Sequence, residues 1–481
     1  MTNNFETMEA AYDFGMIGIG VMGSNLLLNI ADNGFAVIGF DLRQERADTL
    51  EAAAPKGTTV KGTTDISFMA QALKKPRKIM MLVPAGKPVD DVINNLLPHL
   101  EDGDIVIDGG NSFYKDTQRR FEELQPKGIH FFGMGVSGGE AGARFGPSMM
   151  PGGDKHAYQY LKPILEGVAA KADGKPCVAY MGNGPAGHYV KMVHNGIEYA
   201  MMQLISEAYD ILKRGCGYSN EDLHSIFLAW NEGQLQSFLI EITAEIFRTL
   251  DTETNDKDDY LVDHILDKAG SKGTGKWTSQ DAMNIPVSIP TIDMAVAMRD
   301  LSVYKEQRVL AGKLYGERIQ KLSAPAEEVT KLLEEALYFS FIIAYAQGLS
   351  LLAKASEEYN FQIPMADVVS IWKGGCIIRS SLLYQFDKAF AANATMPNVL
   401  LDSTIADLLK QKEGATRQLL SMAINSRIPV AALSSAVTYF DSYCSDRLPT
   451  NLIQAQRDFF GAHTYQRIDR EGVFHTEWNV G

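Results

Sequence analysis

Short apolar runs alternate with helical patterns over the first 180 residues, and this alternation limits the possible folds more than any other feature. The runs are rich in Val, Ile, Met and Phe and lie at residues 14–18, 36–40, 78–83, 104–108, 130–134 and 177–181. Continuous apolar runs are typical of parallel strands that are buried on both faces. We therefore predict a Rossmann-type, doubly wound α/β domain over residues 1–184.

The rest of the sequence is helical in pattern. Turn residues cluster at 182–185, after which strand signals nearly vanish and long amphipathic segments follow at 190–214 and 329–357. A chain of 481 residues is also too long for a single hydrophobic core. We therefore predict a large all-helical domain over residues 185–445.

Within this helical part a weak repeat indicates a duplicated helical unit. Both copies follow a long apolar segment, and in each an apolar pair precedes a Trp and a Gly: Ile226, Phe227, Trp230 and Gly233, then Val368, Val369, Trp372 and Gly375. Residues 446–481 form a C-terminal tail rich in Arg, Gln, aromatics and His, without a long periodic pattern. Such a tail either frays or docks on something.

The charge balance excludes several classes of partner. A formal net charge of -14 argues against nucleic acid and against an anionic membrane surface. The longest apolar stretch, 337–353, contains Ser340, Gln347 and Ser350, so we expect a buried helix rather than a membrane span. To bind an anionic substrate, the protein would need a local cluster of positive side chains that offsets its overall negative charge.

Cysteine usage and the N-terminus indicate a cytoplasmic protein. The first 13 residues are polar and acidic, without the basic and apolar regions of a secretory signal. The four cysteines show no CxxC spacing, which indicates neither a zinc site nor a disulfide framework: Cys177, Cys216, Cys376 and Cys444. No His, Asp and Glu set has a metal-ligand spacing, so we expect no metal.

A dinucleotide fingerprint follows the first predicted strand. Gly18, Gly20 and Gly23 form GxGxxG, and a helical pattern begins at Ser24. The first glycine allows a tight turn, the second lets backbone approach a pyrophosphate, and the third lets helix pack on strand. A bare GxGxxG also occurs in turns without ligand, but this strand-turn-helix context favours nucleotide binding.

Asp41 ends the second predicted strand, 18 residues after Gly23. An acidic side chain there accepts hydrogen bonds from the adenosine ribose hydroxyls and repels a 2′-phosphate, which favours NAD over NADP. Arg43 would partly reverse that preference. Alternatively, Asp41 is a helix N-cap before residues 44–46.

Four polar residues share one stripe of a predicted helix. Lys191, His194, Asn195 and Glu198 fall within an arc of about 100° at about 100° per residue. Lysine does not suit a buried core stripe, and Gly196 lets a large group approach closely. Singly, the lysine and the glutamate would more often be a surface pair, but the joint spacing predicts that one helical face contacts one substrate.

Six segments carry a resemblance to a known family: 108–112, 135–140, 146–153, 191–198, 272–277 and 454–463. In this order they resemble the decarboxylating 6-phosphogluconate dehydrogenase family of the β-hydroxyacid dehydrogenase superfamily. The resemblance runs from about residue 14 to the C-terminus. It implies oxidative decarboxylation of 6-phospho-D-gluconate to D-ribulose 5-phosphate and CO2, with reduction of NAD(P). It further implies a homodimer in which the tail completes the partner subunit's active site.

Site roles carry over by position. The resemblance implies that Lys191 is general base and acid and that Glu198 is general acid. It implies that the sugar acid and nicotinamide are held by Asn111, Ser137, Gly138 and Gly139, with His194 and Asn195 on substrate hydroxyl and carboxylate groups. The 6-phosphate would be bound by Tyr199, Lys272, Thr274 and Arg299, and by Arg457 and His463 of the partner's tail.

The implied reaction sets a requirement on the lysine. To take a hydroxyl proton while hydride leaves for the nicotinamide, Lys191 must be neutral before turnover, and burial with nearby cations would lower its pKa. Taken without the resemblance, Ser137-Gly138-Gly139 reads equally well as a tight turn. An isolated Lys272 would be an ordinary surface residue.

At the nucleotide end the resemblance adds further cofactor contacts, and the sequence departs from the family there. The implied cofactor set is Gly18, Gly20, Val21, Met22, Gly23, Asp41, Leu42, Arg43, Val83, Pro84, Ala85 and Asn111. Gly20 stands where Ala is common, Asp41-Leu42-Arg43 replaces Asn-Arg-Thr, and Pro84 replaces a residue that is often Lys. All three departures favour NAD over NADP.

Two other functions compete with this interpretation. Another β-hydroxyacid dehydrogenase, of 3-hydroxyisobutyrate type, would share the Rossmann start, a Ser-Gly-Gly and the lysine with an asparagine four residues on. Such enzymes are shorter and lack the 272–277 segment and the tail. A nucleotide-binding regulator without turnover is the other alternative, and it would have no reason to keep Lys191 and Glu198.

Overall fold

The computed structural model describes residues 11–253, 259–316 and 318–478. The first residues of the predicted nucleotide domain and the last three of the predicted tail lie outside this range. Its N-terminal part contains a seven-stranded sheet of order β3-β2-β1-β4-β5-β6-β7. The strands are β1 Phe14–Ile17, β2 Val37–Phe40, β3 Val60–Thr63, β4 Lys78–Met81, β5 Ile105–Asp108, β6 His130–Ser137 and β7 Ser148–Gly152.

All neighbouring strands are parallel except β7, which pairs antiparallel with β6. Helices connect the strands, as a doubly wound sheet requires, so the predicted fold class is confirmed. These helices are α1 Val21–Asp32, α2 Gln44–Ala52, α3 Ile66–Ala72, α4 Lys87–Leu96, α5 Tyr114–Leu124, α6 Gly139–Phe145 and α7 Tyr158–Val168. Short 3₁₀ turns follow α4 and α5 at Leu97–His99 and Gln125–Lys127.

Five of the six predicted strands are present, and the prediction at 177–181 is wrong. That segment forms one bridge with β7, Met149↔Val178. In addition, Met181 N donates to Pro151 O, and Cys177 O accepts from Met149 N. Its side chains are apolar because they are buried beside the sheet edge, and not because the segment is a ladder strand. The sequence reasoning missed β3 and β7, since β3 is a partly exposed edge strand and β7 contains Pro151, which suits an edge.

The helical part begins with α8, and most of its helices are long or tightly packed. Their bounds are α8 Ala186–Asp210, α9 Asn220–Glu232, α10 Phe238–Arg248, α11 Leu261–His264, α12 Thr274–Asn284, α13 Pro290–Ser302, α14 Lys305–Tyr315, α15 Ala326–Glu358, α16 Met365–Trp372, α17 Leu383–Ala392, α18 Ser403–Asn425 and α19 Ala431–Tyr443. A π-helical turn, Ile211–Cys216, extends α8, and a 3₁₀ turn, Val399–Leu401, precedes α18.

The long helix α15 lies in the core of the helical part. It is the one described helix long and apolar enough to cross a membrane by length and composition, and 89% of its most apolar 18-residue window is buried inside the protein. Gln347 within it is fully buried and bonds Thr291 through both amide atoms, at 3.0 and 2.9 Å. The predicted buried helix at 337–353 is thereby confirmed.

The two copies of the weak repeat occupy equivalent places. Each short helix, α9 and α16, follows a long one and carries its tryptophan near its C-terminal end, with Trp230 4% and Trp372 0% exposed. The chain segments that follow pair with each other through an antiparallel bridge, Ser237↔Ser380. The two segments share this order of elements, and the duplication itself stays a prediction.

The tail contains a helix that periodicity did not reveal. Helix α20, Thr450–Gly461, precedes a small hairpin of β10 Tyr465–Gln466 with β11 Val473–Phe474. The remaining strands, β8 Lys171–Ala172 and β9 Lys175–Pro176, form a two-stranded pair before α8. Asp458 is the one buried residue of α20 and accepts bonds from His475, Thr476 and Trp478. The apolar side chains of this helix face outward, with Leu452 61% and Phe460 73% exposed, so no core-facing stripe exists in the single chain.

Candidate active site

Glycines let helix α8 lie directly on the sheet, which brings Lys191 to the carboxyl end of β6. A Cβ at Gly135 would lie 2.3 Å from the Lys191 Cβ, and a Cβ at Gly187 would lie 2.2 Å from the Gly133 carbonyl oxygen. No side chain larger than hydrogen fits at these positions. The close packing therefore fixes the first half of α8 against the nucleotide-binding sheet.

The predicted helical stripe forms one cluster around His194. Lys191 Nζ lies 3.4 Å from His194 Nδ1, and Glu198 Oε2 lies 3.8 Å from the same nitrogen. Asn195 Oδ1 is 3.0 Å from it. The other ring nitrogen, Nε2, is 3.2 Å from Ser137 Oγ, so the stripe meets the end of β6.

Burial favours the neutral form of each titratable group in this cluster. Desolvation lowers the pKa of Lys191, while Glu198 acts in the opposite direction. Desolvation also raises the pKa of Glu198 against the charges of Lys191 and Arg299, and it lowers that of His194 to well below its usual value. The pocket thus favours a free amine beside a carboxylic acid, a base and an acid in reach of one another.

The Ser137-Gly138-Gly139 segment is a tight turn that also exposes backbone. Gly138 and Gly139 have φ of 118° and 63°, and α6 begins at Gly139. A Cβ at Gly138 would lie 2.6 Å from the carbonyl oxygen of Gly375. The turn and the site interpretations are therefore compatible, since a tight turn places Ser137 against His194.

Helix α12 brings the predicted phosphate segment to the stripe. Asn195 Nδ2 donates to Thr274 Oγ1 at 3.2 Å, and Thr274, at the start of α12, is 5% exposed. A Cβ at Gly196 would lie 2.7 Å from Thr278 Cγ2. The large group that approaches Gly196 is thus α12 of the same chain.

Cationic side chains lie around this segment. The Arg299 guanidinium stacks over the Tyr199 ring at 3.6 Å from its centroid. Gly275 of α12 also lies against this ring, since a Cβ there would lie 2.5 Å from Tyr199 Cδ2. Lys272 is exposed just before α12. These groups supply the local positive charge that the acidic chain otherwise lacks.

Asn111 is exposed in a loop, and Asp108 fixes the backbone of that loop. The Asp108 carboxylate accepts from Gly110 N at 3.0 Å and from Ser112 Oγ at 2.6 Å. By contrast, the single chain does not bring the tail residues to the cluster. Arg457 and His463 are exposed, and their bonded or ring partners are Gln454 and Phe460 within the tail.

The glycine fingerprint adopts the geometry that nucleotide binding requires. Gly18 has φ of 85°, and a Cβ there would lie 2.6 Å from the Leu82 carbonyl oxygen, while a Cβ at Gly23 would lie 2.1 Å from the Gly18 carbonyl oxygen. Helix α1 begins at Val21, three residues earlier than predicted, because Gly20 is its N-cap. Gly20 has no side chain to cap the helix, so first-turn N–H groups are left for an anion.

A cleft of about 670 Å³ lies beside this loop, and a second of about 380 Å³ adjoins it. Of the predicted cofactor residues, the first cleft is lined by Gly18, Gly20, Asp41, Leu42, Val83 and Pro84, and the second by Gly20, Val21 and Arg43. The structure thus brings eight of the predicted cofactor residues to adjoining clefts. Met22, Gly23, Ala85 and Asn111 line neither of them.

The alternative role of Asp41 as a helix N-cap is wrong. Helix α2 is capped by Arg43 without a side-chain bond. Asp41 instead accepts from Arg43 N at 3.1 Å and from Arg46 Nη1 at 2.8 Å, and it is 7% exposed. Arg46 was missed by sequence reasoning, although it lines both clefts. Its spacing of five residues from Asp41, one helical turn past the strand end, was the available signal.

Sequence reasoning also missed the segment after α16. The Trp372 ring lies edge-on to His194 at 5.6 Å, and Ile377 N lies 3.5 Å from Ser137 Oγ. The only signal was the second copy of the repeat, which ends in this segment. A separate group, Asp251, Asp259 and His264, has ligand atoms within 4.8 Å of one another; none of the three was among the predicted site residues.

Comparison with known proteins gives matches over nearly the whole chain. The C-terminal domain model of 6-phosphogluconate dehydrogenase matches residues 187–478, and the NAD binding domain model of the same enzyme matches residues 13–182. The NADP(+)-dependent, decarboxylating 6-phosphogluconate dehydrogenase of Bacillus subtilis is 51% identical over 96% of this chain and 98% of that protein. The decarboxylating enzyme of Escherichia coli is 48% identical over 96% and 98%.

A solved structure resembles the whole architecture. It is the 6-phosphogluconate dehydrogenase of Plasmodium falciparum, described in its apo form and in complex with NADP+ and with 6-phosphogluconate. It is 44% identical to this chain, covers 97% of it and superposes with a TM-score of 0.93. Sequence and fold thus agree on the same relatives.

Proposed function

The chain belongs to the 6-phosphogluconate dehydrogenase family, and on that basis we propose that it converts 6-phospho-D-gluconate to D-ribulose 5-phosphate and CO2 while reducing a nicotinamide cofactor. The observation that carries this proposal is the buried pair on α8: Lys191 and Glu198 both reach His194 Nδ1, at 3.4 and 3.8 Å. A 3-hydroxyisobutyrate-type reaction is not favoured, because the relatives matched over the full length are 6-phosphogluconate dehydrogenases.

Substrate binding divides between two regions of the site. Lys272, Thr274, Tyr199 and Arg299 would hold the 6-phosphate, which the cations and the stacked ring favour. Asn111, the Ser137-Gly138-Gly139 turn, His194 and Asn195 would hold the sugar acid, as they offer hydroxyl, amide, imidazole and backbone donors. The substrate would then extend along the exposed side of the α8 stripe.

Oxidation is the first step. Neutral Lys191 takes the proton of the hydroxyl at the carbon β to the carboxylate, and the hydride of that carbon leaves with its electron pair for the cofactor. Burial lowers the pKa of Lys191, which favours the free amine that this step needs. The product is a β-keto acid and an ammonium at Lys191.

Decarboxylation follows without a further cofactor. The Lys191 ammonium donates its proton to the new carbonyl oxygen as CO2 departs, which leaves an enediol. Glu198, a carboxylic acid because burial raises its pKa, then protonates the carbon that lost CO2, while Lys191 takes back the enol proton. Ribulose 5-phosphate results, and proton transfer from the ammonium to the carboxylate restores both groups.

The cofactor residues fit a nicotinamide dinucleotide. Its role is to accept the hydride, and this chain holds it through the glycine loop and the adjoining clefts. We propose NAD over NADP, because the buried Asp41 carboxylate suits ribose hydroxyls and opposes a 2′-phosphate. Arg43 and Arg46 offset part of that charge, so the preference is one of degree. The Bacillus subtilis relative is named as NADP(+)-dependent.

We also propose a homodimer in which each tail completes the other subunit's phosphate site. The exposed apolar side chains of α20 support this, since an isolated helix with Leu452 and Phe460 in water would gain stability from a partner. Arg457 and His463 on the tail would add cationic or polar groups to the phosphate. Gel filtration of the full chain tests the dimer, and an active monomer would contradict the shared site.

The cytoplasm is the proposed location. The four cysteines are free thiols in the structure, and Cys177 and Cys376 are buried, as suits a reducing compartment. Cell fractionation with antibodies to the chain tests this.

The function is tested with the purified chain, 6-phosphogluconate labelled at its carboxylate carbon, and either NAD or NADP. We expect nicotinamide reduction and release of labelled CO2 in equal amounts. Reduction without CO2 would indicate a simple dehydrogenase, whereas tight cofactor binding with neither product would favour the nucleotide-binding regulator.

A further inference from the structure

Asp281 is a buried carboxylate that the mechanism above does not use. Asp281 on α12 is 2% exposed and accepts hydrogen bonds from three phenols. Tyr114 Oη donates to Oδ1 at 2.7 Å, Tyr189 Oη to Oδ2 at 2.6 Å, and Tyr359 Oη to Oδ1 at 3.1 Å. Among the described residues, no Lys or Arg nitrogen lies within ion-pair distance of this carboxylate.

The phenols stay protonated and thus remain donors. Burial raises the pKa of Tyr114 and that of Tyr189, and the neighbouring Asp281 carboxylate adds to both shifts. The rings also pack together, with Tyr114 and Tyr189 edge to face at 5.0 Å. A buried carboxylate without these donors would be costly, so the four side chains act as a unit.

Each member comes from an element that carries part of the proposed site. Tyr114 begins α5, three residues after Asn111, and Tyr189 precedes Lys191 by two residues on α8. Asp281 lies on α12, whose first residue is Thr274, and Tyr359 follows α15. The carboxylate therefore joins the nucleotide domain, the catalytic helix and the phosphate segment.

Asp281 lies close enough to Thr274 along α12 to fix the position of the start of this helix. Asp281 and Thr274 are seven residues apart, two helical turns or about 10 Å at 1.5 Å per residue. One side of α12 rests on α8 through Gly196 and Gly275. The Asp281 cluster, with the nearby contact of Phe113 on Trp277 at 5.0 Å, holds α12 to the nucleotide domain.

We propose that Asp281, Tyr114, Tyr189 and Tyr359 form a positioning cluster that holds the phosphate-binding end of α12 in register with Lys191 and Asn111, and so sets the affinity for the sugar phosphate. This inference rests on the proposed function for the identity of the substrate. The cluster does not touch the reacting atoms. Its loss therefore acts on substrate binding more than on dinucleotide binding.

The test uses the full chain with Tyr114→Phe, Tyr189→Phe and Asp281→Asn. Each phenylalanine variant lacks one oxygen, so both remain informative if the Asp281 variant does not fold. The matched control is Tyr439→Phe, a buried tyrosine on α19 whose hydroxyl accepts from Asn398 at 3.0 Å. Its hydroxyl bonds Asn398, outside α8 and α12, and its removal costs a comparable hydrogen bond.

We expect the KM for 6-phosphogluconate to rise about five- to tenfold in the two cluster variants, as for one lost buried hydrogen bond. The dissociation constant of the dinucleotide should stay within about twofold. Amide hydrogen exchange of residues 272–278 should quicken in the cluster variants and not in the control. In the double variant of Tyr189→Phe and Asp281→Asn, the free-energy change calculated from KM should be smaller than the sum of the two single-variant changes.

Unchanged KM with a lowered melting temperature would show a merely structural role and overturn the proposal. So would an equal KM rise in Tyr439→Phe, or unchanged exchange at 272–278. If the wild-type chain does not turn over 6-phosphogluconate, the proposed function fails. The exchange measurement, which needs no substrate, still decides whether Asp281 holds the start of α12.

Discussion

Replacing Lys191 by methionine tests the proposed base most directly. Methionine matches the reach of the lysine stem but offers no nitrogen to take a proton. Lys191 is 6% exposed and lies between the Gly135 backbone and His194, so the apolar side chain fits where the amine was. General base catalysis contributes about 10²- to 10⁴-fold, or about 3 to 5 kcal/mol of barrier. We expect kcat to fall by that factor.

Binding and stability should respond differently from the rate. The neutral amine contributes little charge to the substrate, so the dissociation constants of 6-phosphogluconate and dinucleotide should change by less than about tenfold. The melting temperature should hold or rise, because methionine removes a buried polar group that is desolvated. Calorimetric titration and thermal unfolding measure these quantities beside the rate of nicotinamide reduction.

The matched control is Lys354→Met, an exposed lysine on α15 that pairs with Glu357. It should leave kcat and binding unchanged, since surface pairs contribute little. Normal turnover by Lys191→Met would refute the base assignment. A variant that binds neither ligand would also count against it, because the residue would then be a binding group and not a catalyst.

Three further results are expected. Asp41→Asn removes the carboxylate opposed to a 2′-phosphate and frees Arg46, so the ratio of kcat/KM for NADP to that for NAD should rise at least about tenfold; an unchanged ratio in initial rates would exclude Asp41 as the determinant. Burial raises the pKa of Glu207 from 4.5 to about 7, so its contribution to folding is full below pH 4.5 and is lost, by about 3 kcal/mol, as pH rises through 7. Glu207→Gln should flatten the decline of melting temperature over that interval, and an unaltered slope would contradict this. Truncation after Leu448 removes α20 and should abolish both dimerisation and turnover, as checked by light scattering and assay; an active monomer would contradict the shared site.

The strands that sequence reasoning placed correctly are those buried on both faces, such as β1, because burial alone dictates their composition. The errors lie at the sheet edges. Edge strand β3 is partly exposed and β7 contains Pro151, while the apolar segment 177–181 lies beside the sheet without forming a ladder. Apolar runs report burial, and burial does not specify hydrogen bonding.

For the site residues, predictability depended on whether their contacts are local or distant in sequence. The α8 stripe was predictable because helical spacing fixes which side chains share a face. Trp372 and Asp281 were not, since their importance depends on contacts across the fold that no local spacing records. The close approach at Gly196 was predicted, but the identity of its neighbour was not, because Thr278 lies 82 residues later in the sequence.

The site combines cationic side chains near the phosphate segment with buried groups whose charged forms are disfavoured by burial. Lys272 is exposed and Arg299 is stacked on Tyr199, and these two cationic side chains attract an anion that the net charge of -14 would otherwise repel. Were Lys191 charged as well, it would pair with the substrate carboxylate and could not take a proton. Burial under Gly135 lowers the pKa of Lys191 and so favours its neutral form. Raising ionic strength should therefore weaken substrate binding through the exposed cations while leaving kcat nearly unchanged, and a parallel fall of both would mean that Lys191 binds as a cation.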